Sequence, residues 1–184
     1  MGVTLWRIAS DTPQWQAHDL SGKGAQTSGG RWNRQGRPVL YCACSIALAA
    51  LETAVHLETD DLPLNRFLVA VELPDEVWAA RIVHSATTLP VGWTARPEGK
   101  VSLDIGDAWL AGGASALLQL PSVIVPEEHI VLINPRHADA ASLQSRKLRA
   151  WFFLISPQAQ PRPPTLLTAI RTTLFRQAGE KLFD

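Results

Sequence analysis

The sequence predicts an α+β fold built from small mixed or antiparallel sheets with short helices. Three observations predict it. Short apolar strand-like runs outnumber helical patterns, they do not alternate with helices as a doubly wound α/β chain requires, and glycine and proline punctuate them at close intervals. The chain has 184 residues, 46% of them hydrophobic, enough for one core-bearing domain with an appendage. We read residues 1–155 as that domain and 156–184 as a proline-rich segment followed by a helix.

Val3 to Ile8 reads as the first strand. Ser10 to Gly30 is polar, holds Gly22, Gly24, Gly29 and Gly30, and reads as a long loop. Pro38 to Cys44 is a short apolar strand after a turn at Gln35-Gly36. Ser45 then caps a helix running to about Glu58. Its apolar stripe reads as Leu48, Leu51 and Val55, which puts Glu52 at the border of the buried face. Arg66 to Leu73 is a strand and Val77 to Val83 a further one. Pro90 to Gly99 is a loop carrying Trp93. Asp104 to Ala111 is a short helix ended by Gly112-Gly113. Ala116 to Leu120, Ser122 to Val125 and His129 to Asn134 are strands broken by Pro121 and Pro126. Leu148 to Ile155 is a last strand, and Pro164 to Ala178 a helix.

Seventeen basic and seventeen acidic residues give a formal net charge of zero. That excludes the basic excess of a direct nucleic-acid binder. The zero is uneven: 10 basic and 14 acidic residues lie up to Arg136, 7 and 3 after it. No apolar run reaches the ~18 residues of a membrane span, and the N-terminus lacks a signal-peptide pattern. Cys42 and Cys44 would share a strand face, poor geometry for a disulfide, so a reduced cytoplasmic protein is expected. The five histidines form no close pair and no CxxC occurs, so no metal is expected.

Four polar residues sit where structure alone does not require them. Arg31 follows Gly29-Gly30, whose glycines permit a tight turn or close approach to a ligand. Its planar fork suits a carboxylate or a phosphate, or serves only as an exposed turn residue. Tyr41 lies mid-strand, either in a site or as a core tyrosine with a satisfied hydroxyl. Glu52 is a boundary carboxylate, free for chemistry or paired to Arg31. Ser122 follows Pro121, as a site hydroxyl or one bonding its own turn. Lys23 is a glycine-flanked loop cation.

The strings Gly29-Gly30-Arg31-Trp32-Asn33, Val39-Leu40-Tyr41, Ala47-Leu48-Ala49-Ala50-Leu51-Glu52, Leu120-Pro121-Ser122 and Leu132-Ile133-Asn134-Pro135-Arg136 resemble the RES-domain toxins over residues 3–150. The family is named for an arginine, a glutamate and a serine, matched by Arg31, Glu52 and Ser122. The resemblance implies an ADP-ribosyltransferase-like fold and the toxin half of a bacterial toxin–antitoxin pair, with an Xre-like helix-turn-helix antitoxin blocking the site. It implies NAD as substrate rather than cofactor, with NAD hydrolysed, phosphorolysed or used to ADP-ribosylate a protein.

On that footing Glu52 faces the oxocarbenium-like charge, Tyr41 stacks on nicotinamide, and Arg31 with Lys23 clamps phosphate beside Gly30. Ser122 gives one orienting hydrogen bond, and Arg7 contacts ribose or phosphate. A non-catalytic RES-like partner-binding module is the alternative from another class; a ribonuclease lacks its signature here. The C-terminal segment has no counterpart in the resemblance. It is expected to pack on the domain, to pair with another copy in a homo-oligomer, or to meet the antitoxin.

Overall fold

A computed structural model describes residues 2–56 and 65–152. The chain divides into units Met1–Phe152 and Phe153–Asp184. The second unit, with the expected helix from Pro164 to Ala178, lies outside the described residues, as does Glu58.

Among the described residues the strands join in one seven-stranded sheet. They are β1 (Val3–Ser10), β2 (Leu40–Ala43), β3 (Arg66–Leu73), β4 (Ile82–Val83), β5 (Leu117–Pro121), β6 (His129–Ile133) and β7 (Gln144–Ala150), in the order β4-β5-β6-β2-β1-β3-β7. Only β4 with β5 is parallel. The helices are α1 (Lys23–Ser28), α2 (Ile46–Ala54), α3 (Asp75–Ala79) and α4 (Lys100–Gly112), with a 3-10 turn at Ala138–Ser142. The α+β expectation holds. No helix among the described residues is long and apolar enough to cross a membrane.

The sheet is buried on both faces, which explains strands that read as continuous apolar runs. Successive residues point to opposite sides. Leu40, Cys42, Leu117, Val131 and Ile133 join Leu5, Val69 and Val71 in one core. Ala43, Leu118, Leu120, Ile130 and Leu132 join Leu48, Ala49, Trp32 and Trp109 in the other.

Several local expectations are corrected. The polar stretch from Ser10 to Gly30 contains α1. Gly22 starts it at φ 72°, where a Cβ would lie 2.7 Å from the Val39 nitrogen, so a glycine is required there. Val77 to Val83 is not a strand throughout, because Pro74 caps α3 and Asp75 and Glu76 place negative charge in its first turn. Only Ile82–Val83 remains extended. Ser122 to Val125 is a turn, because the Ser122 hydroxyl accepts the Ile124 and Val125 N–H groups. The last strand runs over Gln144–Ala150, four residues earlier than read from the apolar run after it. As an edge strand it is largely exposed and so carries few apolar residues. Helix α4 begins at Lys100 rather than Asp104.

The stripe assigned to α2 is also rotated. Leu48 and Ala49 are buried and Glu52 and Thr53 half-buried, while Leu51 and Val55 are 39% and 50% exposed. Glu52 therefore belongs to the inward side of the helix, one turn after Leu48.

Gly106 lets α4 lie against the backbone of Trp32: a Cβ there would fall 1.7 Å from the Trp32 carbonyl oxygen. Gly106→Ala is expected to lower unfolding free energy by about 3 kcal/mol, the upper range for overpacking. Urea denaturation of both proteins measures it, and a loss under about 1 kcal/mol would contradict this packing.

Candidate active site

Strand β1 pairs with β3 through eight residue pairs, Val3 with Leu73 to Ser10 with Arg66. With β2 it shares one, Trp6 with Ala43. The sheet therefore splays open between β1 and β2. A cavity of about 740 Å³ occupies the opening, lined by Trp6, Arg7 and Ile8 from β1 and Leu40 to Ala43 from β2. That size suits a small-molecule ligand.

The wall that carries Arg31 is held from inside. Gly30 and Asn33 exchange backbone hydrogen bonds of 3.0 and 3.3 Å, closing a tight turn. Trp32 and Asn33 are each 0% exposed. Trp32 stacks on Trp93 with ring centroids 6.4 Å apart. The Asn33 amide donates to the Ala25 and Arg37 carbonyls, both at 2.9 Å. Next to it, Arg34 donates to Asp107 and to Asp104, both at 2.6 Å, and Arg37 also approaches Asp107. Arg31 thus stands between buried anchors and reaches along the cavity wall. Its Nη1 donates to the Trp93 and Ala95 carbonyls at 3.1 and 2.9 Å, leaving the rest of the fork uncommitted among the described residues.

Tyr41 ties this turn to β2. Its hydroxyl accepts the Trp32 N–H at 3.0 Å and donates to Asn33 Oδ1 at 2.8 Å. Gly30 sits against it, and a Cβ there would be 2.8 Å from the hydroxyl oxygen. Burial pushes the Tyr41 pKa well above its ordinary value, so the phenol stays protonated. Tyr41 lines the cavity while its hydroxyl is spent on the loop, so its hydroxyl is satisfied as in a core tyrosine.

Glu52 lines the cavity from α2. Ser45 starts that helix by accepting the Leu48 N–H at 3.1 Å and donates its own proton to Glu128 at 2.7 Å. The Glu128 carbonyl in turn accepts the Ser122 N–H at 2.9 Å. Ser122 is 0% exposed, and its hydroxyl donates to Glu52 Oε1 at 2.6 Å. Ser122 is not among the cavity-lining residues and reaches the cavity wall only by its contact with Glu52 among the described residues. The carboxylate takes the serine, not Arg31, as its partner. A short hydrogen bond from a buried hydroxyl restricts the rotamer of the carboxylate.

The cavity is cationic. Arg7, Lys23, Arg31, Arg66 and Arg96 line it, against Asp19, Glu52 and Glu98. None of the five cations is ion-paired among the described residues, whereas Arg34, Arg37, Arg146 and Lys147 are. Among the described residues Arg7 donates to the Asp19 carbonyl alone, at 3.4 Å. Burial lowers its pKa, opposed by Cys42 and Asp19. The neighbouring Cys42 thiol is pushed up to about 11 by burial, with Arg7 opposing. Arg66, Arg96 and Glu98 escaped the sequence reading. No local pattern marks them, because residues far apart in the chain meet here only through the sheet.

The turn carrying Arg31, the helix carrying Glu52 and the strand end carrying Ser122 thus converge on one cavity. Residues 4–154 match the RES domain family. The chain belongs to the RES-domain toxin family. Among its relatives, a protein of a Sphingobium species named Prs ADP-ribosylating toxin is 52% identical over 153 residues, covering 83% of this chain and 95% of that one. A Pseudomonas putida protein named Toxin Res is 41% identical, covering 76% and 90%. A Toxin Res of Yersinia enterocolitica is 38% identical, covering 73% and 86%. The RES domain thus spans the first unit nearly whole.

The double role of the Tyr41 hydroxyl is testable. Tyr41→Phe keeps the ring but strands the Trp32 N–H and Asn33 Oδ1. It is expected to cost about 1–3 kcal/mol in denaturant unfolding, the penalty for unsatisfied buried groups. A change near zero would mean that the loop is not held by this hydroxyl.

Proposed function

We propose that this RES toxin binds NAD in the splayed cavity and breaks its nicotinamide–ribose bond. One observation carries the reading: a carboxylate, Glu52, locked by a buried serine at the wall of a cavity bearing five cations that are not ion-paired among the described residues. NAD supplies the matching charges, an anionic pyrophosphate and a cationic nicotinamide. When the bond breaks, nicotinamide leaves neutral with the bonding pair and positive charge develops on the ribose. A carboxylate fixed beside that carbon stabilises the charge without reorganising. Arg31 and Lys23 counter the phosphates, with Arg7 at the opposite strand, and the Tyr41 ring offers a π face to the nicotinamide. Ser122 is a positioning residue that fixes the rotamer of Glu52. The acceptor then bonds the ribose carbon and loses a proton.

Water or phosphate as acceptor makes the chain an NAD glycohydrolase or phosphorylase. A protein side chain makes it an ADP-ribosyltransferase, and the name of the 52% identical Sphingobium relative favours this second reading. Both consume NAD, and both place the enzyme with that substrate in the cytoplasm. We assign its control to an Xre-like helix-turn-helix antitoxin covering the cavity mouth.

Nicotinamide release from NAD by the purified protein is the test. Glu52→Gln is expected to slow it about 10²- to 10³-fold, as removal of a preorganised charge stabiliser does. Ser122→Ala is expected to cost about tenfold, mainly in kcat, since it frees the rotamer of Glu52 and leaves its charge. Intact NAD after long incubation with the antitoxin-free protein, with and without phosphate and with a cell extract as protein acceptor, would overturn the proposal. Product analysis across those three conditions assigns the acceptor.

A further inference from the structure

Arg66 is the first residue of β3, opposite Ser10 of β1. By strand alternation its side chain shares a sheet face with those of Ile8 and Trp6, and all three line the cavity. Its backbone is fixed, because its carbonyl accepts the Trp151 N–H at 2.8 Å. Its guanidinium is not satisfied among the described residues: Nε is buried and has no hydrogen-bond partner there.

Among the described residues, the carboxylates of Asp11 beside this end of β3 and Glu72 toward its other end are committed to other cations. Asp11 holds Lys147 at 2.6 and 2.9 Å, and its own carbonyl takes the Asn65 amide. Glu72, further along β3, holds Arg146 at 2.6 Å. A buried guanidinium N–H facing no acceptor is costly, and arginine does not escape the cost by losing its proton. An arginine left so in a ligand-sized cavity is matched by an acceptor that the ligand brings.

We propose that Arg66 is a phosphate-binding residue of the cavity, receiving phosphate oxygens on its fork from the β3 side. The inference rests on the dinucleotide reading for the ligand's identity, though not for the anion chemistry. Phosphate fits better than carboxylate because NAD carries two phosphates and no carboxylate, and a guanidinium fork pairs two phosphate oxygens at once. The phosphate belongs either to the dinucleotide or to free inorganic phosphate serving as acceptor.

Calorimetric titration of the full chain in a Glu52→Gln background, which slows turnover enough for binding to be read, separates these. The probes are NAD, pyrophosphate, inorganic phosphate and nicotinamide riboside, the last carrying no phosphate. Arg66→Gln is expected to weaken NAD and pyrophosphate about tenfold or more, as loss of a charge-assisted pair does, and to leave nicotinamide riboside unchanged. Weakening of inorganic phosphate alone assigns the residue to the free acceptor. Arg66→Lys keeps the charge and loses the fork, so it is expected to fall between the two and stands in if the glutamine variant does not fold. The proposal is overturned if the parent binds none of the phosphate probes. It is equally overturned if every probe binds the variants as it binds the parent, or if nicotinamide riboside weakens in step with the others. Pyrophosphate binding that needs Arg66 in a protein that does not bind NAD would sink the dinucleotide reading and keep this one. NAD consumption with affinity independent of Arg66 would do the reverse.

Discussion

Everything at the site depends on one break in hydrogen bonding. Strand β1 spends its full length on β3 and meets β2 at a single pair, Trp6 with Ala43. On its other side β2 pairs all four of its residues with β6. Two well-paired half-sheets therefore share one hinge point and diverge from it. Between them, strand edges that would pair with each other in a closed sheet line a cavity. The opening is stable because each half has its own partner strands and core residues from both halves pack together on each face. A ligand meets strand edges and side chains from both halves at once, which no closed sheet would offer.

Around that opening the chain fixes reactive groups by burying their neighbours. Arg31 is flanked by Trp32 and Asn33, both wholly enclosed, and Gly30 leaves room for the Tyr41 hydroxyl that holds the turn. Glu52 is held by Ser122, and Ser122 by the same Glu128 segment that Ser45 engages when it starts α2. Helix start, turn and the Glu52 carboxylate form one connected set of hydrogen bonds. Such a set restricts the geometry more tightly than separate contacts would. It also brings Glu52 and Ser122, far apart in sequence, into direct contact.

The legible parts of the chain were those with local causes. Arg66–Leu73 was read to the residue because an unbroken β-branched and aromatic run is bounded by polar residues. The Ser45 cap was legible from residue type alone. The orientation of α2 was not, because its alanines are indifferent to either face and leave the period weak. Tertiary bonds from Ser122 and Glu128 decided it, turning Glu52 inward and Leu51 out. Val123-Ile124-Val125 looked like a strand by composition, yet the Ser122 hydroxyl captured the backbone N–H groups a strand would need. The name-giving trio was legible through its motifs. Arg66 and Arg96 had none, since what makes them part of the site is the register of β3 and the position of the 90–99 loop.

The same distinction sharpens the charge argument. A chain of zero net charge has no surplus with which to attract an anion, and its first 136 residues are acidic. What the fold controls is which cations are neutralised. Arg34 and Arg37 are consumed by Asp104 and Asp107 in fastening the Arg31 loop, and Arg146 and Lys147 by Glu72 and Asp11 along the edge of the sheet. The five cations around the cavity are left without carboxylate partners among the described residues, in a partly enclosed space where solvent screens them least. Their mutual repulsion is a cost that any ligand bearing two phosphates relieves, so the anion affinity proposed above would come from pairing withheld rather than from charge added. It follows that a carboxylate introduced beside these cations would neutralise the site and stabilise the fold together, a trade that places the cavity among sites where stability is set below its attainable maximum for the sake of binding.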